Sequence, residues 1–115
     1  MTESKREWIA RESYLAYAKG DHDFFDRHLG DGFTFSSPPD PMLDRQGWEE
    51  RCWPGSGRGQ ELDFVRVVEL GDEVLVTYES RRTDGSGGRN TEIMAFNDDD
   101  QIIRTEVYFG WELDR

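Results

Sequence analysis

Acidic and polar side chains recur at alternate positions of the last two predicted strands. Asn90 and Glu92 share one face of the first of these strands, because successive strand residues point to opposite faces. Arg104, Glu106 and Tyr108 share one face of the second. If both sets face one partly dry cavity, the two carboxyl groups push each other's pKa values apart. One of them would then serve as a general base near neutral pH.

The same alternation allows an opposite orientation of the last strand. Its other face carries apolar side chains, namely Val107, Phe109 and Trp111. If that face packs into the core, Glu106 lies in water. A structural interpretation of Glu92 is also open, because Glu92 and Arg104 could form a cross-strand ion pair.

Helical patterns come first in the chain and strand patterns follow. The apolar spacing and the stop signals predict helices over 3–19, 21–29 and 43–53, with Gly20 ending the first and Asp21 and Asp44 as N-caps of the others. Period-two patterns predict strands over 32–36, 61–70, 73–82, 89–96 and 101–111. The four long strands follow one another as hairpins, which favours an antiparallel meander covered on one face by helices. The fold class is therefore α+β, in a single domain over residues 1–115.

Composition excludes several classes of partner. The chain has 115 residues, the size of one domain. Its 25 acidic and 14 basic residues give a formal net charge of −11, which disfavours binding to nucleic acid or to an anionic membrane surface. No apolar run approaches the ~20 residues that span a bilayer, and the N-terminus lacks a signal-peptide core. We expect a cytoplasmic protein.

Few residues are suited to hold a metal or a cofactor. Cys52 is the single cysteine, and His22 and His28 are the only histidines. Cys52 is interpreted as a small buried apolar residue, since no neighbouring histidine in the sequence would activate it. No nucleotide, haem or metal motif is present, so we expect no cofactor.

The order of elements and several short segments resemble the nuclear transport factor 2-like (NTF2-like) superfamily. The segments are 31–38 (DGFTFSSP), 44–54, 89–92 (RNTE) and 106–110 (EVYFG). The superfamily includes ketosteroid isomerases, limonene epoxide hydrolases and SnoaL-like cyclases, and this chain is most similar to an uncharacterised bacterial branch. The resemblance covers about residues 6–111. It implies a cone in which a curved antiparallel sheet wraps the N-terminal helices around a pocket.

The resemblance also implies an orientation for the last strand. It favours the arrangement in which Arg104, Glu106 and Tyr108 face the pocket. Relatives are commonly homodimers through the outer face of the sheet, which implies a dimer interface made by Val107, Phe109 and Trp111.

Further site residues follow from similarity to ketosteroid isomerases. These enzymes place a tyrosine of the first helix in an oxyanion site, a role that Tyr14 or Tyr17 resembles, and a general-base aspartate after the first short strand, where Asp40 lies. Trp53, beside Pro54, would either pack at the mouth of the cone or stack there on a flat ligand. The alternative for both tyrosines is core packing. The Asp-Arg-Asp set of limonene epoxide hydrolases has no match, so hydrolase chemistry does not transfer.

Two functions fit these observations. The first is a small-molecule pocket protein with cofactor-free acid/base chemistry, acting as an isomerase, cyclase or hydratase on a hydrophobic substrate. The second is a non-catalytic ligand-binding or dimerisation module, because the fold hosts both kinds of protein. A protein-interaction domain, with a filled cone and a large exposed apolar patch, is a third and weaker hypothesis.

Overall fold

Three α-helices precede most of a five-stranded sheet in the computed structural model, which describes residues 2–113. The helices are α1 (Lys5–Lys19), α2 (His22–His28) and α3 (Arg45–Arg51), followed by a 3₁₀ turn over Trp53–Gly55. The strands are β1 (Leu29–Ser36), β2 (Glu61–Leu70), β3 (Glu73–Arg81), β4 (Gly87–Phe96) and β5 (Ile102–Glu112). The predicted α+β class is confirmed.

Local capping sets the bounds of the helices. Ser4 accepts a hydrogen bond from the backbone N–H of Glu7, and the Glu7 carboxylate accepts one from the backbone N–H of Ser4, so α1 begins with a capping box. Gly20 ends α1 in the left-handed conformation, with φ of 76°. Asp21 and Asp44 cap α2 and α3, as the sequence predicts.

The strands lie in the order β1-β5-β4-β3-β2 in one open sheet. The predicted antiparallel meander is confirmed for β2 to β5, whereas β1 pairs in parallel with β5. The strand β1 also begins at Leu29 rather than at Gly32, directly after α2. The first strand therefore closes the edge of the sheet that β5 would otherwise expose.

The register between β4 and β5 decides which side chains face inward. Glu92 pairs with Val107, and Ile93 pairs with Glu106. Directly paired residues share a face of the sheet, so Glu92 and Glu106 point to opposite faces. The predicted orientation of Glu106 is wrong. The alternative orientation holds for Val107 and Phe109, which lie on the inner face, but not for Trp111.

A register shift next to Gly110 changes the alternation near the end of β5. Phe109 pairs with Asn90 on the inner face, whereas Trp111 pairs with Arg89 on the outer face. A Cβ at position 110 would stand 2.4 Å from the carbonyl oxygen of Arg89, so only glycine fits this approach. The bulge thus separates two aromatic residues that simple period-two counting places together.

The helices pack on the inner face and form one core with it. Four aliphatic side chains are almost completely buried: Ile9, Val74, Val76 and Ile102. Aromatic rings fill the space between α2, α3 and β1, namely Phe24, Phe25, Phe33 and Trp48. Within residues 2–113, no helix is both long and apolar enough to cross a bilayer.

Candidate functional site

A cavity of about 400 Å³ lies between the inner face of the sheet and the helices. Its walls are mostly aromatic and aliphatic, with Phe25, Phe33, Trp48, Met94, Ile102 and Val107 among the lining residues. Phe109 also lines it and is 60% exposed, which places this ring at the opening. The size and apolar character are typical of sites for one small molecule.

Glu92 is the one carboxyl-bearing residue among the described residues that line this cavity. Its position on β4 turns it inward, and it is only 8% exposed. Burial disfavours the charged form and raises the pKa of Glu92 to about 7, although the hydrogen bond from Tyr78 and the nearby hydroxyl of Tyr14 act in the opposite direction. Glu92 therefore changes charge near neutral pH.

Tyr78 is the principal partner of this carboxyl group. It pairs with Asn90 across β3 and β4, so its side chain lies diagonally next to Glu92 on the same face. The Tyr78 hydroxyl donates a hydrogen bond of 2.6 Å to Glu92 Oε2 and accepts one of 3.4 Å from Asn90 Nδ2. Burial also raises the pKa of Tyr78, so this phenol stays protonated.

Tyr14 approaches the same carboxyl group from α1. Its ring lies 4.7 Å from that of Tyr78, centroid to centroid, and its hydroxyl lies near enough to lower the pKa of Glu92. Within residues 2–113, Tyr14 Oη is buried and has no hydrogen-bond partner within 3.5 Å. A buried donor without a partner costs free energy, so a ligand oxygen in the cavity would relieve that cost.

The other predicted tyrosine has a structural partner. Tyr17 also lines the cavity, but its hydroxyl donates a 2.5 Å hydrogen bond to the backbone oxygen of Cys52. Cys52 lines the cavity too, and burial raises the pKa of its thiol to about 11. This thiol is therefore not a nucleophile at neutral pH.

Asp40 does not line the cavity but holds a residue that does. Its Oδ1 accepts a 2.5 Å hydrogen bond from Nε of Arg51, the last residue of α3. Arg51 reaches the rim of the cavity with a side chain that is 60% exposed. The predicted placement of Asp40 as a base inside the pocket is wrong, because its carboxylate is engaged in this ion pair.

Three predicted site residues of β5 lie outside the cavity. Arg104 donates to Glu73 at 2.9 Å and not to Glu92, so the predicted cross-strand pair with Glu92 is also wrong. Tyr108 is 53% exposed, and Glu106 points to the same outer face. The predicted pair of carboxylates is therefore absent, and burial alone raises the pKa of Glu92.

Trp53 is likewise not among the residues that line the cavity. Its ring packs edge-on against Tyr17, His22 and Phe25, behind the aromatic wall. Trp53 lies in the 3₁₀ turn after α3, and its ring also contacts Trp48 of that helix. The structure thus brings together four of the predicted site residues, namely Tyr14, Tyr17, Asn90 and Glu92.

Sequence reasoning missed Tyr78 and Arg51. A signal for Tyr78 existed, because Val74, Val76 and Tyr78 alternate on one face of a predicted strand and therefore share the core side. No comparable signal marks Arg51, since only the packing of α3 against β1 brings its guanidinium to the rim.

Comparison with solved structures gives the fold. An epoxide hydrolase/cyclase-like enzyme, SalBIII, which takes part in pyran ring formation in the polyether salinomycin, matches with a TM-score of 0.77 at 14% identity, over 92% of this chain and 91% of that one. A SnoaL-like protein of unknown function from Burkholderia thailandensis matches with a TM-score of 0.70 at 21% identity, over 96% and 99% of the two chains. The chain has the NTF2-like fold.

Another NTF2-like protein of unknown function, from Mesorhizobium loti, matches with a TM-score of 0.74 at 16% identity, over 96% of this chain and 95% of that one. No protein-family model and no curated protein match the sequence. The resemblance drawn from the sequence is confirmed at the level of the fold. The cavity lies between the helices and the sheet of this fold, and the side chains that line it determine its chemistry.

The chemistry available in this NTF2-like cavity is proton transfer. It offers one carboxyl group that titrates near pH 7 and, close beside it, two protonated phenols. Among residues 2–113, no group of three His, Cys, Asp or Glu side chains is placed to hold a metal ion. A molecule bound in the cavity would therefore lie beside the Glu92 carboxyl group and the hydroxyls of Tyr14 and Tyr78.

Proposed function

We propose that this protein is a cofactor-free acid/base catalyst that acts on a small hydrophobic molecule. The observation that carries the proposal is the buried carboxyl of Glu92, which lines an apolar cavity and has a pKa of about 7. At neutral pH such a group is present in both protonation states. It can therefore accept a proton from a substrate and return one in the same catalytic cycle.

The neighbouring tyrosines support distinct parts of this reaction. The hydrogen bond from Tyr78 fixes the orientation of the Glu92 carboxylate. The hydroxyl of Tyr14 is buried beside the cavity without a hydrogen-bond partner, and we assign it as the donor to a substrate oxygen on which negative charge develops, once substrate binding uncovers it. When ionised Glu92 removes a proton, the electron pair moves toward that oxygen, and the Tyr14 hydroxyl stabilises the resulting charge.

A single carboxyl group favours reactions in which the proton removed from the substrate is returned to it. Glu92 removes a proton from one atom of the substrate and returns it to another, as in isomerisation or in intramolecular cyclisation. A hydratase reaction is compatible as well, if Glu92 takes the proton of a water that attacks the substrate. The similarity to a cyclase-like enzyme at 14% identity supports this range of reactions at the level of fold.

A second candidate function is a non-catalytic binding module. The observation that favours it is the short hydrogen bond from Tyr78, which already satisfies one oxygen of Glu92 and gives the carboxyl a structural role. In that case the cavity would bind a hydrophobic ligand without converting it.

One experiment separates these candidates. A panel of terpenoid, steroid and aromatic polyketide compounds is screened by thermal shift, and each binder is tested for conversion by mass spectrometry. We expect at least one compound to be converted, and Glu92→Gln to bind it while its turnover falls by ~10²–10⁴-fold, as is typical when a general base is lost. Glu106→Gln is the matched control and keeps full turnover.

Two results would count against catalysis. Equal turnover by the parent and Glu92→Gln would contradict the role of this carboxyl. Binders that neither protein converts would support the binding module instead.

We also propose a homodimer through the outer face of the sheet, with a corrected set of residues. Val107 and Phe109 line the cavity, so they do not belong to that face. Tyr108 and Trp111 do, and they are 53% and 62% exposed. Exposed aromatic residues on a sheet face are typical of interfaces.

Light scattering at micromolar concentration tests this assembly. We expect twice the 13.4 kDa mass of the chain for the parent protein and a single chain mass for the Tyr108→Lys, Trp111→Lys double variant. A monomeric parent would refute the dimer.

A further inference from the structure

Arg51 is the one positively charged side chain among the described residues that line the cavity. It lies at the C-terminal end of α3, and 60% of its side chain is exposed at the rim. The proposed reaction does not use this residue. Its position nevertheless means that any molecule in the cavity meets a guanidinium group at the opening.

The guanidinium retains hydrogen-bonding capacity. It has five N–H donors, and the Nε–H is donated to Asp40. Within residues 2–113, its two Nη groups have no hydrogen-bond partner in the structure. A planar pair of N–H donors matches the two oxygens of a carboxylate, and such hydrogen bonds are stronger than neutral ones.

The surroundings give this group a fixed position. Ser37, which also lines the cavity, and Asp40 exchange backbone hydrogen bonds of 3.0 and 3.2 Å. This turn holds the Asp40 carboxylate against Nε of Arg51. Asp40 is therefore a positioning residue, and its negative charge also weakens the attraction of Arg51 for a second anion.

The charged side chains of the cavity determine which way round an acidic ligand would bind. Glu92 becomes negative above about pH 7 and repels an anionic group, whereas Arg51 attracts one. The remainder of the cavity is mostly apolar, and the whole chain carries a formal net charge of −11. An anionic group therefore has one favourable place here, which is the rim.

We propose that the ligand of this cavity is a hydrophobic carboxylic acid whose carboxylate binds the Nη groups of Arg51 while its apolar part lies toward Glu92. The inference rests on the proposed function, because it assigns the class of molecule on which Glu92 acts. In this assignment Arg51 determines the specificity for the ligand, and the carboxyl group of Glu92 carries out the proton transfer.

A matched pair of probes tests this assignment. Binding of 2-naphthylacetic acid and of its uncharged amide, 2-naphthylacetamide, is measured by isothermal titration calorimetry at pH 6. At this pH the acid is ionised and Glu92 is mostly neutral. We expect the acid to bind about tenfold more tightly than the amide, since hydrogen bonds to charged groups contribute more than neutral ones.

Two variants shift the preference in opposite directions. Arg51→Gln removes the positive charge and the paired N–H donors of the guanidinium. The acid should therefore lose about tenfold in affinity, while the affinity for the amide stays unchanged. Asp40→Asn keeps a hydrogen-bond acceptor and removes the competing charge, so the acid binds more tightly than to the parent. Glu106→Gln, on the outer face, is the control and alters neither affinity.

The outcomes separate this inference from the proposed function. If the amide binds as tightly as the acid, or if Arg51→Gln leaves the preference intact, the assignment to Arg51 is overturned while the cavity remains a binding site. If neither probe binds to the parent protein, the assignment to Arg51 is overturned, while the proposed acid/base function is decided separately by the conversion screen and Glu92→Gln.

Discussion

Glu92 and Glu106 are the same residue type on adjacent strands, yet they lie in opposite environments. Glu92 points inward, accepts a hydrogen bond from Tyr78, and has its pKa raised to about 7 by burial. Glu106 points outward, because it pairs with Ile93, the residue after Glu92, whose side chain lies on the opposite face of β4. The difference between them teaches that the face of the strand, rather than the residue type or its spacing, decides which carboxyl group can exchange protons at neutral pH.

The largest expected difference between the two faces is in the pH dependence of stability. The pKa of Glu92 is higher in the folded state than in the unfolded chain, so folding is disfavoured as the pH rises through about 7. Glu92→Gln has no carboxyl group to ionise, so its stability does not fall in this way. We expect the unfolding free energy of the variant minus that of the parent to be about 3 kcal/mol more positive at pH 8 than at pH 4.

Urea unfolding at the two pH values measures this gain. Glu106→Gln is the control from the outer face, and its effect should not depend on pH to a comparable degree. A Glu92→Gln variant that is equally destabilised at both pH values would show that the carboxyl is needed for structure and does not carry the expected ionisation cost.

A smaller effect is expected at Tyr78, which supports the inner carboxyl. Tyr78→Phe removes the 2.6 Å hydrogen bond to Glu92. We expect a loss of about 2 kcal/mol at pH 8, where the acceptor is charged, and a smaller loss at pH 5. The pKa of Glu92 should rise further in this variant, because the Tyr78 hydroxyl lowers it. A variant as stable as the parent at pH 8 would argue against this bond.

Tyr14→Phe is the matched variant of the second tyrosine. Its hydroxyl is buried without a partner within 3.5 Å, so removing it should not lower stability at pH 5 and should raise it by up to about 1 kcal/mol. Turnover of any substrate found should nevertheless fall, because the free donor is lost. Thermal unfolding measures the stability of this variant, and the conversion assay measures its turnover. A destabilised variant with normal turnover would contradict it.

The smallest expected effect belongs to the outer face. Glu106→Gln should change the unfolding free energy by no more than about 0.5 kcal/mol, as is usual for surface substitutions. Denaturant titration at pH 8 measures it beside the inner variants. A loss comparable to that of Tyr78→Phe would mean that the two faces differ less than the structure indicates.

Much of the fold could be predicted from the sequence. The end of α1 at Gly20, the caps at Asp21 and Asp44, and the hairpin at Gly71 are local features that a few residues decide. The parallel pairing of β1 with β5 joins segments far apart in the chain. No local pattern of residues encodes such a pairing, which depends on how the helices between them pack.

The site could be predicted only in part, for two physical reasons. Strand alternation gives two possible faces, and the apolar positions of β5 fit either a core or an interface until the register with β4 is known. The bulge at Gly110 then changes the phase, so Phe109 and Trp111 separate. Alternation correctly placed Glu92 and Asn90 on one face, because β4 alternates without interruption from Asn90 to Ala95, but it did not show that this face is the inner one.

The central claim is that Glu92 is a buried carboxyl group that titrates near neutral pH. Carbon-13 NMR of the glutamate side-chain carboxyl groups, recorded from pH 4 to pH 9 and assigned with Glu92→Gln, measures its pKa directly. We expect the Glu92 resonance to titrate at about pH 7. A Glu92 that titrates near the ordinary glutamate value of about 4.3 would contradict the account.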